Sequence, residues 1–203
     1  MSVKRLAVLG LLGFVLGLGG CAIVYPPAPA GIETFEQEYL IGPGDNVNIQ
    51  VWRNPELSMI VPVRPDGKIT TPLVEDLPAS GRTPTQLARE IEKALAKYIQ
   101  NPVVTVIVSV FNGPYSQQVR VIGEAAKPQA LPYRENMTLM DVMILVGGIT
   151  DFAAGNRASI VRSAGGKSEQ LGVRLIDLVR KGDLSANVAM RPGDVLIIPQ
   201  SFF

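Results

Sequence analysis

Tyr39-Leu40-Ile41-Gly42-Pro43-Gly44-Asp45-Asn46-Val47-Asn48-Ile49-Gln50-Val51 contains a chain reversal and the strand it feeds. Pro43 fixes φ near the value needed at the second position of a type II turn, and Gly44 can take the positive φ at the third. Val47, Ile49 and Val51 then alternate onto one face, the period of a half-buried strand. The same device returns at Pro192-Gly193-Asp194, ahead of Val195, Ile197 and Pro199. In these turns Asp45 and Asp194, and Asp66 in a third, are expected to bond backbone amides.

Working outward, residues 59–64 and 68–71 flank Pro65-Asp66-Gly67, and Asp-Gly between alternating apolar positions predicts a β-hairpin. Thr83-Pro84-Thr85-Gln86 reads as a helix start, with Thr83 as N-cap, Pro84 at the first helical position and Gln86 closing a capping box. Leu87, Ile91, Leu95 and Tyr98 carry that helix to about Ile99, and Asn101-Pro102 stops it. Residues 103–110 form an apolar, β-branched strand. Asn112-Gly113-Pro114 marks the break between two units, 39–112 and 113–203. The second unit opens with a strand at 119–123. Thr138 and Asp141 cap a helix carrying Leu139, Val142, Met143 and Val146, which leaves through Gly147-Gly148. Strands at 158–162, 169–175 and 195–198, with a helical turn near 176–179, complete it. The fold class is α+β: two small β-rich domains, each with an embedded helix. Gly42, Gly44, Gly67, Gly147, Gly148 and Gly193 read as turn and cap residues.

The 203 residues include no histidine and one cysteine, Cys21, which removes the usual zinc constellations, Ser-His triads, Cys-His pairs and disulfides. No cofactor is implied, and the chain is not expected to be an enzyme. A carboxylate pair for sugar hydrolysis has no support in the spacing of the acidic residues. Trp52 and Tyr115 can stack on sugar rings, but core or interface packing is the expectation for each. Phe202-Phe203 either pins the last strand or docks a partner.

Lys4 and Arg5 precede an apolar run over residues 6–18, the layout of a secretory signal. The run is too short for a transmembrane helix, which needs about 20 apolar residues, and Gly10, Gly13 and Gly17 interrupt it. It closes on Leu18-Gly19-Gly20-Cys21, which resembles the lipobox of bacterial lipoproteins and implies cleavage before Cys21 and lipidation of its thiol. Ala22, where an aspartate would signal inner-membrane retention, implies sorting to the outer membrane. Removing residues 1–20 takes away Lys4 and Arg5, leaving 17 basic against 18 acidic residues, a net charge of −1. That gives no electrostatic footprint for nucleic acid. Pro26, Pro27, Pro29 and Gly31 make 21–38 read as an extended tether.

In their order after the lipobox, the motifs at 39–49, Arg64-Pro65-Asp66-Gly67-Lys68-Ile69, Pro72-Leu73, Gly81 and the Thr83 helix resemble the polysaccharide export domain of Wza-like outer-membrane exporters. Gly123, Leu139, Gly147-Gly148-Ile149-Thr150, Ala154, Arg162 and Arg191-Pro192-Gly193-Asp194-Val195 resemble the SLBB β-grasp domain that follows in that family. The ending Ile198-Pro199-Gln200-Ser201-Phe202-Phe203 resembles that of exporters encoded with PEP-CTERM/exosortase systems. The resemblance implies a lipid-anchored homo-oligomeric ring that faces the periplasm and conducts exopolysaccharide across the envelope. Its implied partner is an inner-membrane chain-length and assembly protein. Larger members end in an amphipathic helix that lines an outer-membrane pore. No such helix follows here, so the expectation is a periplasmic section served by a separate outer-membrane β-barrel. The alternative is a non-translocating lipoprotein that binds a soluble ligand or glycan as scaffold or sensor.

Overall fold

The Pro43-Gly44 turn, with Gly44 at φ 85°, delivers the chain into β1 (Asn46–Val51). Val47, Ile49 and Val51 are buried on one face, while Asn48 and Gln50 lie on the other. The computed structural model describes residues 25–29, 38–164 and 166–201. β1 is the middle strand of a three-stranded antiparallel sheet, between β2 (Met59–Pro62) and β5 (Val104–Val110).

The chain does reverse at Asp66-Gly67, where Gly67 N donates to Arg64 O at 2.8 Å and Arg64 N to Lys68 O at 2.9 Å, but the expected hairpin goes no further than this closing rung. β2 pairs with β1, whereas β3 (Lys68–Thr71) pairs with β4 (Val74–Pro78) in a separate two-stranded sheet. The cause lies one residue past β2. Val63 N donates to Asp45 O at 2.8 Å and Val63 O accepts from Gly44 N at 2.9 Å, so this backbone is spent on the Pro43-Gly44 turn.

α1 (Pro84–Leu95) starts on the expected box: Thr83 Oγ1 accepts from Gln86 N at 3.2 Å and Gln86 Oε1 accepts from Thr83 N at 3.0 Å. Leu87, Ala88, Ile91 and Leu95 face the core. The helix stops four residues short of Ile99. Tyr98, counted in its apolar stripe, is exposed, because the chain tightens into a turn in which Tyr98 N donates to Leu95 O. The Glu92 side chain then accepts from Val104 N at 2.8 Å and fixes the entry of β5.

The second unit is a five-stranded mixed sheet. β6 (Gln118–Gly123) lies between β7 (Ala130–Pro132) and β10 (Val195–Ile198), and β8 (Ala158–Ala164) and β9 (Lys167–Val173) complete it in the order β7-β6-β10-β8-β9. The last strand inserts at the centre, parallel to β6 and antiparallel to β8. α2 (Leu139–Val146) has the Thr138–Asp141 box at one end and left-handed Gly147, φ 77°, at the other. The helical turn expected at 176–179 is a seven-residue helix, α3 (Leu175–Lys181).

The α+β class stands, with two hydrophobic cores. One runs from Ile41 to Val104, the other from Val119 to Ile198. Among the described residues no helix is long and apolar enough to cross a membrane.

Candidate functional site

Where the two units meet, the Pro43-Gly44 turn grips the linker. Asp45 is fully buried. Its Oδ2 accepts from Gly42 N at 2.8 Å and Tyr39 Oη at 2.5 Å, and its Oδ1 accepts from Asn112 N at 2.6 Å and Gly113 N at 2.9 Å. Asp45 therefore bonds backbone amides, as expected, but two of them belong to the segment read as a break. Gly42 is required by close approach: a Cβ there would lie 2.1 Å from the carbonyl carbon of Gly113. Gln117 adds a second clasp, accepting from Leu40 N and donating to Glu38 O, both at 3.1 Å. Tyr39 stands edge-on to Phe111, ring centres 5.4 Å apart. Burial first, then the hydrogen bond and charge of Asp45, push the Tyr39 phenol well above the usual tyrosine range.

The second turn of this kind is used inside one domain. Asp194 accepts from Arg191 N at 2.8 Å and takes a two-pronged ion pair from Arg162 on β8, 3.0 Å from Nε and 2.7 Å from Nη2. Both side chains are buried or nearly so. Asp66 is exposed and pairs with Arg64.

The outer face of the β2-β1-β5 sheet is a groove of about 470 Å³, along which lie Asn48, Gln50, Trp52, Arg53, Ile60 and Thr105. Trp52 is 69 % exposed, which removes core packing and leaves interface packing or sugar stacking. Its position follows from the strand period: Asn48, Gln50 and Trp52 share one side of β1 and its extension, opposite Val47, Ile49 and Val51. That phase was readable from the sequence and is the signal that places Trp52. Arg53, which follows it, has φ 63°, a left-handed conformation uncommon for a non-glycine residue. Tyr115, at 76 %, is also exposed, in a separate 3-10 turn at the start of the second unit.

Cys21 and Phe202-Phe203 lie outside the described residues. Within the stretch read as a tether, residues 25–29 lie against the second domain. Ala28 N donates to Gly172 O at 3.0 Å and Gly172 N donates to Pro26 O at 2.8 Å, adding a short parallel strap to the edge of β9. Extended, proline-bearing chain suits an edge, where a missing N–H faces away from the ladder. The absence of a side chain at Gly172 admits the strap, since a Cβ would come 3.2 Å from Tyr25 O. Among the described residues no cluster of three or more acidic or cysteine side chains could hold a metal ion.

Residues 33–109 match the family model for polysaccharide biosynthesis/export protein, and residues 118–181 match the SLBB domain. The exopolysaccharide production protein ExoF of Rhizobium meliloti (strain 1021) is 28 % identical over 178 residues, 80 % of this chain and 41 % of ExoF. The EPS I polysaccharide export outer membrane protein EpsA of Ralstonia nicotianae is 28 % identical over 186 residues, 80 % of this chain and 47 % of EpsA. Its namesake from Ralstonia solanacearum is 30 % identical over 182 residues, 78 % and 47 % respectively. The chain spans about half the length of these curated relatives.

Proposed function

We propose, from the premise that this chain belongs to the polysaccharide export family, that it is a wall component of a conduit that carries exopolysaccharide through the envelope. The observation that carries this reading is the succession of an export domain and an SLBB domain along most of the chain. The role is transport without bond chemistry. Identical subunits close a ring through head-to-tail contacts, the geometry by which one interface can build a closed passage. The rigid joint at Asp45 supports this use, because it fixes the angle between two domains that must stack in register around a ring.

In this reading Cys21 is lipidated after cleavage and anchors the ring to the outer membrane from the periplasmic side. An acylated cysteine holds by about 0.8 kcal/mol per buried methylene. An inner-membrane chain-length and assembly protein feeds the conduit, and a β-barrel protein supplies passage through the outer membrane.

Deleting the gene tests the role: surface exopolysaccharide should disappear, return with the wild-type chain, and fail to return with Cys21→Ser. The mass of the lipidated protein in mild detergent tests the ring. Many copies in a closed particle support a conduit, and a stable monomer or dimer points instead to a glycan- or ligand-binding lipoprotein that does not translocate.

A further inference from the structure

The groove on the β2-β1-β5 sheet carries an unusual set of idle groups. The amides of Asn48 and Gln50, the indole N–H of Trp52, the guanidinium of Arg53 and the hydroxyl of Thr105 line one concavity, and none has a hydrogen-bond or ion-pair partner among the described residues. Among the described residues Arg53 is the one charged side chain along it. Register places them closely: Gln50 is directly opposite Thr105 on β5, and Asn48 sits between Ile60 on β2 and Ile107 on β5. The backbone at Arg53 is held left-handed, and strain of this kind gathers where a side chain must be presented in a fixed direction.

We infer that this groove binds a segment of an anionic glycan. Trp52 stacks on the C–H face of a pyranose ring, Asn48, Gln50 and Thr105 exchange hydrogen bonds with its hydroxyls, and Arg53 takes a carboxylate or other anionic substituent. Amides are suited to this because each can donate from its NH2 and accept at its carbonyl, and a sugar hydroxyl can likewise donate one hydrogen bond and accept others. The guanidinium fork matches a carboxylate. A second copy of this chain fits the same surface less well. Protein docking would desolvate two idle amides and a guanidinium, and each one left unpaired costs about 1–3 kcal/mol or more. The absence of acidic side chains from the lining among the described residues favours an anionic occupant over a cationic one.

This inference rests on the export reading, since it names what passes over the groove. Contact of this sort, shallow and exposed, gives binding on the order of millimolar, weak enough for a polymer to keep moving.

Trp52 is the only tryptophan in the chain, so its fluorescence reports on the groove directly. The test uses the full lipidated protein in mild detergent and oligosaccharides released by mild acid from the polysaccharide that the producing strain secretes. Acrylamide should quench Trp52 in the free assembly, and the oligosaccharides should shift its emission and protect it. The Asn48→Ala/Gln50→Ala double variant, which keeps the reporter, should bind roughly tenfold more weakly. Arg53→Ala should lose most of the salt dependence. Four results overturn the inference: emission that stays flat at millimolar oligosaccharide, double-variant binding that matches wild type, salt dependence unchanged in Arg53→Ala, or Trp52 shielded from acrylamide before any sugar is added, which means that another subunit covers the groove. Failure of the export reading looks different. In that case deletion of the gene leaves surface polysaccharide intact, whereas a flat titration beside an export-defective deletion removes the groove alone.

Discussion

Pro43-Gly44-Asp45 and Pro192-Gly193-Asp194 share a tripeptide, a glycine φ of 85° and a carboxyl group withdrawn from solvent, yet they fasten different things. Asp45 meets neutral donors, three backbone amides and a phenol, two of the amides arriving from the chain that leaves its domain. Asp194 meets a guanidinium from the neighbouring strand and stays within its own core. The turn is thus a presentation device. It brings a carboxyl group to a fixed place beside a strand start, and whatever lies opposite decides whether the result is a joint between domains or a buckle inside one.

The largest effect expected is at the glycine that only the joint needs. Gly42→Ala drives a methyl group into the Gly113 backbone and should cost at least about 4 kcal/mol, read as a fall in urea midpoint with new proteolysis near residues 112–114. Gly193→Ala, strained only by its φ, should cost about 1–2 kcal/mol. Equal losses at the two sites would end the distinction between joint and buckle.

Next comes the buckle. Asp194→Ala strands a mostly buried Arg162 and should cost about 3–5 kcal/mol, while Arg162→Met/Asp194→Leu should recover most of it. A double variant as unstable as the single one would mean that the ion pair is not what the turn serves there.

A smaller loss, about 2 kcal/mol, is expected for Asp45→Asn, because an amide nitrogen then faces donors that need an acceptor. Faster hydrogen exchange should be confined to the amides of Gly42, Asn112 and Gly113. Exchange that spreads instead through β6 and β10 would contradict a local joint.

The mildest test is pH. The Tyr39 phenol is raised in the folded protein, so its neutral form stabilises the fold fully below the ordinary tyrosine value near 10, and that contribution is lost as pH climbs from there toward the folded value. Stability should fall above pH 10 in the wild type and less steeply in Tyr39→Phe. Parallel curves would remove Tyr39 from the joint.

Local chemistry was legible in the sequence. The Thr83 and Thr138 capping boxes and the two Pro-Gly turns form as read, because each is decided within four residues. Pairing was less legible, because partners are chosen by competition at a distance. Asp66-Gly67 makes its turn, but Val63 had already been claimed by the Asp45 turn, and β3 found β4 across Pro72-Leu73, where Leu73 at φ 65° gives no hint of a reversal. The groove lay between these cases. Its tryptophan was visible as a candidate, and the two-residue period that would have put it outside the core was not applied to it; the concavity around it depends on Thr105 and Ile60 from strands that pair far along the chain.

The strap on β9 also sets an order of events. Pro26 and Ala28 leave the ribosome well before Gly172, which they bond, has been made. A contact between residues so far apart in sequence forms after the local ones. The strap therefore settles only after Gly172 has been built, so a stretch of chain made early finds its place late.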